Sequence, residues 1–164
     1  MNSQNVVLVM GANGGIGSNV VRELRRQRHS VMLAGRNEEE LAQLGAEVDA
    51  PFAVAEASSI SEYEGVAQMC VEQFGHLDGM VNCAGSVLIK PAHLTTEDEF
   101  SSTIADNLTS AFAAVRAAAK TMGKQGGSVV LMASSAGRVG IPNHEAIAAA
   151  KAGVIALTQS LAKE

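Results

Sequence analysis

Five apolar residues in a row, Val6 to Met10, stop at Gly11, and Gly14, Gly15 and Gly17 follow before helical spacing takes over. A run this short cannot span a membrane but suits a strand buried on both faces. The glycines let the backbone turn tightly and approach a ligand, and the helix start beyond them aims unpaired N–H groups at it. Strand, glycine turn and helix in this order make a phosphate cradle, and a dinucleotide is the guest it predicts.

Downstream, strands alternate with helices. Ile16, Val20 and Leu24 repeat at helical spacing and predict the face this first helix turns to the sheet, with Arg22, Arg25, Arg26 and Arg28 on its solvated side. Ser30 to Ala34 reads as the second strand, and Asn37 with Glu40 as the capping pair of a short helix through Leu44. Pro51 to Ala55 gives a third strand, Ser59 with Glu62 caps a helix to Phe74, and Leu77 to Asn82 gives a fourth strand. Thr96 and Glu99 cap a long helix with apolar residues at Phe100, Ile104, Leu108, Ala111, Val115, Ala118 and Met122, and with Ala113, Ala114 and Ala117 on its flank. Ser128 to Ala133 is a fifth strand, and a last Ala-rich helix begins near Pro142. This alternation specifies a parallel sheet with right-handed crossovers, an α/β fold of one domain over residues 1–164.

Composition narrows the partners. A net charge of −5 is a poor footprint for nucleic acid or an anionic membrane. Cys70 and Cys83 form no C-x-x-C and the four histidines are scattered, so no metal site and no disulfide framework are expected. The N-terminal MNSQNVV lacks the basic and long apolar regions of a leader, which points to a cytoplasmic protein.

GANGGIG at residues 11–17, FGHLDGMVNCAG at 74–85, DNLTSAF at 106–112, GSVVLMASSAG at 127–137 and the last helix together resemble the short-chain dehydrogenase/reductase family along the whole chain, 3-oxoacyl-carrier-protein-reductase-like members in particular. The resemblance implies a Rossmann-like, doubly wound parallel sheet in the order 3-2-1-4-5, five of the usual seven strands, with helices on both faces. It implies that Gly11, Asn13, Gly15, Ile16 and Gly17 hold a nicotinamide dinucleotide and that Asn82, Ala84 and Gly85 close over its adenosine half. Arg36, at the end of the second strand where an acid would select NAD(H), favours NADP(H). Ser134, Asn107 and Lys151 match the catalytic positions, Lys151 also binding the nicotinamide ribose; the Ala113, Ala114 and Ala117 face resembles a helix-pair interface that would make the protein a homo-oligomer, with core packing by small residues as the alternative.

Three departures qualify this. The family's catalytic tyrosine, four residues before the lysine, is Ile147 here, while the only tyrosine is Tyr63. The chain ends where relatives continue into two more strands, so it is expected to be truncated at its C-terminus. Glu56 and Ala57 stand where relatives place Asp and an apolar residue against adenine. The expected activity is oxidoreduction of an unidentified carbonyl or alcohol with an atypical site. The alternatives are a non-catalytic NADP(H)-binding or assembly subunit, or an inactive fragment. His144 and Glu145 are nearby titratable groups, His144 expected at the helix start rather than on the face of Ile147 and Lys151.

Overall fold

Alternate residues of the first strand go to opposite layers. In β1 (Val6–Met10) the side chains of Val6, Leu8 and Met10 pack into one apolar cluster and those of Val7 and Val9 into another, as the two-residue period of a strand requires. In this computed structural model, which describes residues 4–162, β1 is the middle of five parallel strands in the order β3-β2-β1-β4-β5. The others are β2 (Ser30–Gly35), β3 (Phe52–Val54), β4 (Gly79–Asn82) and β5 (Ser128–Leu131). Residues 1–3, part of the N-terminal stretch read above, and residues 163–164 lie outside the described residues.

Helices α1 (Gly15–Arg26) and α2 (Glu38–Val48) cover one face of the sheet, and α3 (Ile60–Phe74) and α5 (Ser110–Met122) the other. Between them α4 (Glu97–Ile104) passes through a π-helical turn, Ala105–Thr109, straight into α5, and α6 (Glu145–Leu161) closes the described chain. The fold and strand order are those expected. The predicted caps are present: Asn37, Ser59 and Thr96 accept hydrogen bonds from the backbones of Glu40, Glu62 and Glu99.

Several details differ. Ile16 is 57% exposed, and the face α1 buries is Gly17 and Val21, with Val20 and Leu24 half-buried. The cause is at Gly17, where a Cβ would collide with the Gly11 carbonyl. That close approach turns residues 17, 21 and 24 inward and leaves Ile16 about 100° round the helix. Helix α2 continues through Gly45 to Val48, because a glycine there lets Ala50 pass close by. The arginines of α1 do lie on a solvated face: Arg22 pairs with Glu47 and Arg26 with Glu23.

The long helix is not one regular helix. The π turn adds a residue to the repeat, so the buried side before it is at Thr103 and after it at Ser110, Ala111, Ala113, Ala114, Ala117 and Ala118. Phe100, expected in the core, is 45% exposed. The alanines take the second of the two roles open to them. Ala113, Ala114 and Ala117 are completely buried in this chain's own core, in one cluster with Tyr63, Val66, Ala67 and Cys70 of α3. Their small size serves the approach of α5 to α3, not to another subunit. At one end of the sheet, among the described residues, β5 is an outer strand with Val129 and Val130 partly exposed.

Candidate functional site

The site is built where β1, β2 and β4 end. Gly11 has φ of +70°, and a Cβ on it would lie 2.6 Å from the backbone nitrogen of Ala84, so the glycine turn and the turn after β4 are packed backbone to backbone. Helix α1 starts at Gly15 with Gly14 as its cap; no side chain caps it and no acidic residue lies in its first turn. The helix start therefore presents free N–H donors beside this junction.

A cleft of about 320 Å³ opens over the junction. Of the residues expected to hold a dinucleotide, Gly11, Asn13, Arg36, Ala84 and Gly85 line it. Gly15 and Gly17 shape the helix start behind it, and Ile16 points to solvent. Asn82 is turned into the core, accepting from the Tyr63 hydroxyl at 3.0 Å and donating to Ser110 Oγ at 3.2 Å. Ser110 in turn donates to the Asp106 carbonyl at 2.7 Å, so Asn82 ties β4 to α3 and to the π turn. The sequence reading did not assign Tyr63, Asp106, Cys83, Asn37 or Glu40 to this cleft, which they also line. Burial pushes the ionisation of the Tyr63 phenol and of the Cys83 thiol upward, which keeps both neutral.

A second cluster lies past Gly85. Asn107 sits inside the π turn, 2% exposed, and its amide donates to the carbonyls of Ser86 at 3.1 Å and Thr103 at 2.9 Å. Its Oδ1 is the one buried side-chain polar atom among the described residues with no partner. A Cβ on Gly85 would stand 2.8 Å from that oxygen and 3.7 Å from Lys151 Nζ, so Gly85, Asn107 and Lys151 converge. Lys151 is buried on α6, donates to the Met132 carbonyl at 2.7 Å, and has its proton affinity lowered by burial. An unpaired buried acceptor and a desolvated ammonium are costly unless a ligand or water uses them.

Ile147, one turn before Lys151, is buried and has no proton to give. Ser134 precedes a tight helical turn, Ser135–Gly137, and its Oγ accepts from the Ala136 backbone at 3.2 Å. Its hydroxyl is thus a local cap here, while Gly137 lies against the backbone of Ala152 in α6. His144 is at the start of α6 with Nδ1 2.7 Å from the Pro142 carbonyl, the capping place expected for it.

The glycine cradle, the free helix start and the orphaned Asn107 oxygen fit a nicotinamide dinucleotide laid from α1 toward Lys151. Among the described residues no three His, Cys, Asp or Glu side chains are grouped to hold a metal, and no helix is long and apolar enough to cross a membrane.

Comparison with known proteins agrees with this geometry. The family model described as "short chain dehydrogenase" matches residues 5–164. An uncharacterized oxidoreductase of Thermotoga maritima is 34% identical over 161 residues, covering 96% of this chain and 64% of its own. The 3-oxoacyl-[acyl-carrier-protein] reductase of Chlamydia pneumoniae is 33% identical over 166 residues, covering 96% of this chain and 66% of its own. The solved structure of an actinorhodin polyketide ketoreductase variant with NADPH superposes with a TM-score of 0.93 at 28% identity, over 98% of this chain and 65% of that one. The chain spans about two thirds of the length of these proteins.

Proposed function

Because the chain belongs to the short chain dehydrogenase family, we propose that it binds NADP(H) in the glycine-turn cleft, in preference to NAD(H), and acts as an oxidoreductase on a carbonyl or alcohol. The observation that carries the reading is the convergence of Gly85, the unpartnered Asn107 Oδ1 and the buried Lys151 at one end of that cleft. Arg36 on the cleft wall supports the preference for a 2′-phosphate, and the NADPH of the ketoreductase structure supports the cofactor class.

A nicotinamide dinucleotide held in the cleft would supply the hydride for a carbonyl carbon. The helix start at Gly15 and the glycine turn would hold its phosphates, Arg36 the 2′-phosphate, and Lys151 the nicotinamide ribose. Asn107 Oδ1 accepts from a water or hydroxyl in the space beside Gly85, and the Ser134 hydroxyl turns from its backbone contact to the substrate oxygen. The alkoxide left on the substrate takes up a proton, and residue 147 does not deliver it. A positioned acid contributes roughly 10²- to 10⁴-fold to such a step, so turnover is slow. Ile147 for that reason favours a second reading, a subunit that binds NADP(H) without catalysis.

Titration with NADPH and NADH, followed by calorimetry or nicotinamide fluorescence, tests the cofactor reading: tighter NADPH binding is expected, and failure of a folded protein to bind either refutes it. NADPH oxidation with a panel of carbonyls then separates the two readings. Measurable turnover abolished by Ser134→Ala favours the enzyme; binding without turnover favours the subunit. We place the protein in the cytoplasm on its two unpaired thiols, Cys70 and Cys83. A homo-oligomer would use exposed apolar side chains such as Phe112, and light scattering reads it.

A further inference from the structure

Two helices begin with the same kind of cap and use it differently. At α4 the Glu99 carboxylate returns to the backbone N–H of its own cap, Thr96, at 2.9 Å, closing a capping box. At α2 the cap is Asn37, and Glu40 stands where Glu99 stands, yet its carboxylate does not return to the backbone N–H of the cap. Glu40 Oε2 instead accepts from Asn13 Nδ2 of the glycine turn at 2.7 Å, across 27 residues of sequence. The reach has been given room. Asn13 lies over Gly35, where any Cβ would collide with the Asn13 side-chain oxygen. Backbone and side chain of Glu40 are both held, the first by Asn37 Oδ1 at 3.2 Å and the second by Asn13. Glu40, so held, and Arg36 both line the cleft.

We propose that Glu40, held by Asn13, is a specificity-determining residue that limits the preference of this cleft for a 2′-phosphorylated dinucleotide. Its carboxylate accepts from an adenosine ribose hydroxyl of NAD(H) and repels the 2′-phosphate of NADP(H), offsetting the attraction of Arg36. The Asn13 contact fixes the carboxylate at the wall, so the repulsion is not relieved by rotation of a free side chain. The NADPH preference of the native chain is therefore small, and it is held down by one charge. This inference rests on the cofactor reading above.

The test is the affinity of the protein for each dinucleotide, measured by titration on the native chain, on Glu40→Gln and on Asn13→Ala. Glu40→Gln keeps an acceptor for Asn13 and removes only the charge. It is expected to tighten NADPH by roughly five- to tenfold, the scale of two unit charges about 4 Å apart and fully solvated, and to leave NADH unchanged or weaker. Asn13→Ala frees the carboxylate and shifts the ratio the same way by less. NADPH binding by Glu40→Gln also weakens more steeply with added salt than native binding, because attraction to Arg36 is no longer offset. A purely structural role for Glu40 moves neither the ratio nor its salt dependence. Equal changes for both dinucleotides, or none, with both still bound, overturn the role of Glu40 and leave the cofactor reading intact. A native chain that binds neither overturns both.

Discussion

The two ends of the cleft are made in different ways. At the glycine turn the structure is specified by backbone against backbone: Gly11 at φ +70° with Ala84 against it, Gly17 against the Gly11 carbonyl. Nothing there waits for a missing group, because the free donors belong to a helix start that is solvated without a ligand. Past Gly85 the structure depends on side chains: an oxygen of Asn107 with no partner among the described residues, an ammonium buried at Lys151, and a buried isoleucine, Ile147, where the family resemblance implies an acid. On the proposed reading, binding and chemistry are therefore separable: the glycine end is shaped by backbone contacts, whereas proton delivery would depend on the side chain at residue 147.

The largest effect expected is at the cradle. Gly11→Val places a branched side chain in a left-handed conformation and against the Ala84 backbone, so it is expected to cost about 3 kcal/mol or more and to abolish dinucleotide binding. Thermal unfolding with an NADPH titration measures both, and a variant that binds normally breaks the claim that backbone contact makes this end. At the other end Ile147→Tyr restores a proton donor one turn before Lys151 and is expected to raise carbonyl reduction about 10²-fold, roughly 2.7 kcal/mol of barrier, with NADPH affinity little changed. An unaltered rate with the cofactor still bound would mean that Ile147 is not what limits the chemistry.

The same contrast explains what could be read in the sequence. Strands β1 and β2, the glycine turn and the caps at Asn37, Ser59 and Thr96 were legible because each is a local pattern of period, glycine or cap. The π turn was not, since one extra residue in the helical repeat leaves no mark besides an asparagine in mid-helix, and so Phe100 was placed in the core. The sequence leaves Ala113, Ala114 and Ala117 open between two roles, because small residues permit close helix approach inside a core as well as between subunits, and it is the core they serve. The Asn13–Glu40 bond joins residues far apart in sequence, and a capping pattern at Asn37 gave Glu40 a sufficient local explanation. Asn82 was read as a cleft residue because its motif abuts the cleft, but its amide is needed between Tyr63 and Ser110.

That buried chain joins the two ends, and Tyr63→Phe sharpens the comparison. Removing the hydroxyl leaves Asn82 Oδ1 without its donor and is expected to cost about 1–3 kcal/mol of stability at neutral pH. Denaturant unfolding measures it. A neutral result would show that the π turn does not depend on this brace.

The smallest effects are in the alkaline limb of stability, where the two regions differ in sign. Burial raises the folded-state pKa of Tyr63 above its ordinary 10.0. Above that value the unfolded chain releases the phenolic proton while the folded chain keeps it. Stability contributed by the neutral phenol is therefore present below pH 10.0 and lost as pH rises beyond it. Lys151 behaves oppositely: burial lowers its pKa below 10.5, so in the window beneath that value the unfolded chain binds more protons and stability rises with pH. Unfolding curves of Tyr63→Phe should thus converge on the native protein as pH climbs past 10.0, whereas Lys151→Met should lack the native rise just below 10.5. Parallel curves for Tyr63→Phe would mean that the phenol ionises as readily in the folded chain as in the unfolded one. Parallel curves for Lys151→Met would mean that Lys151 is no more desolvated than a surface lysine, and the difference between the two ends of the cleft would then rest on Ile147 and Asn107 alone.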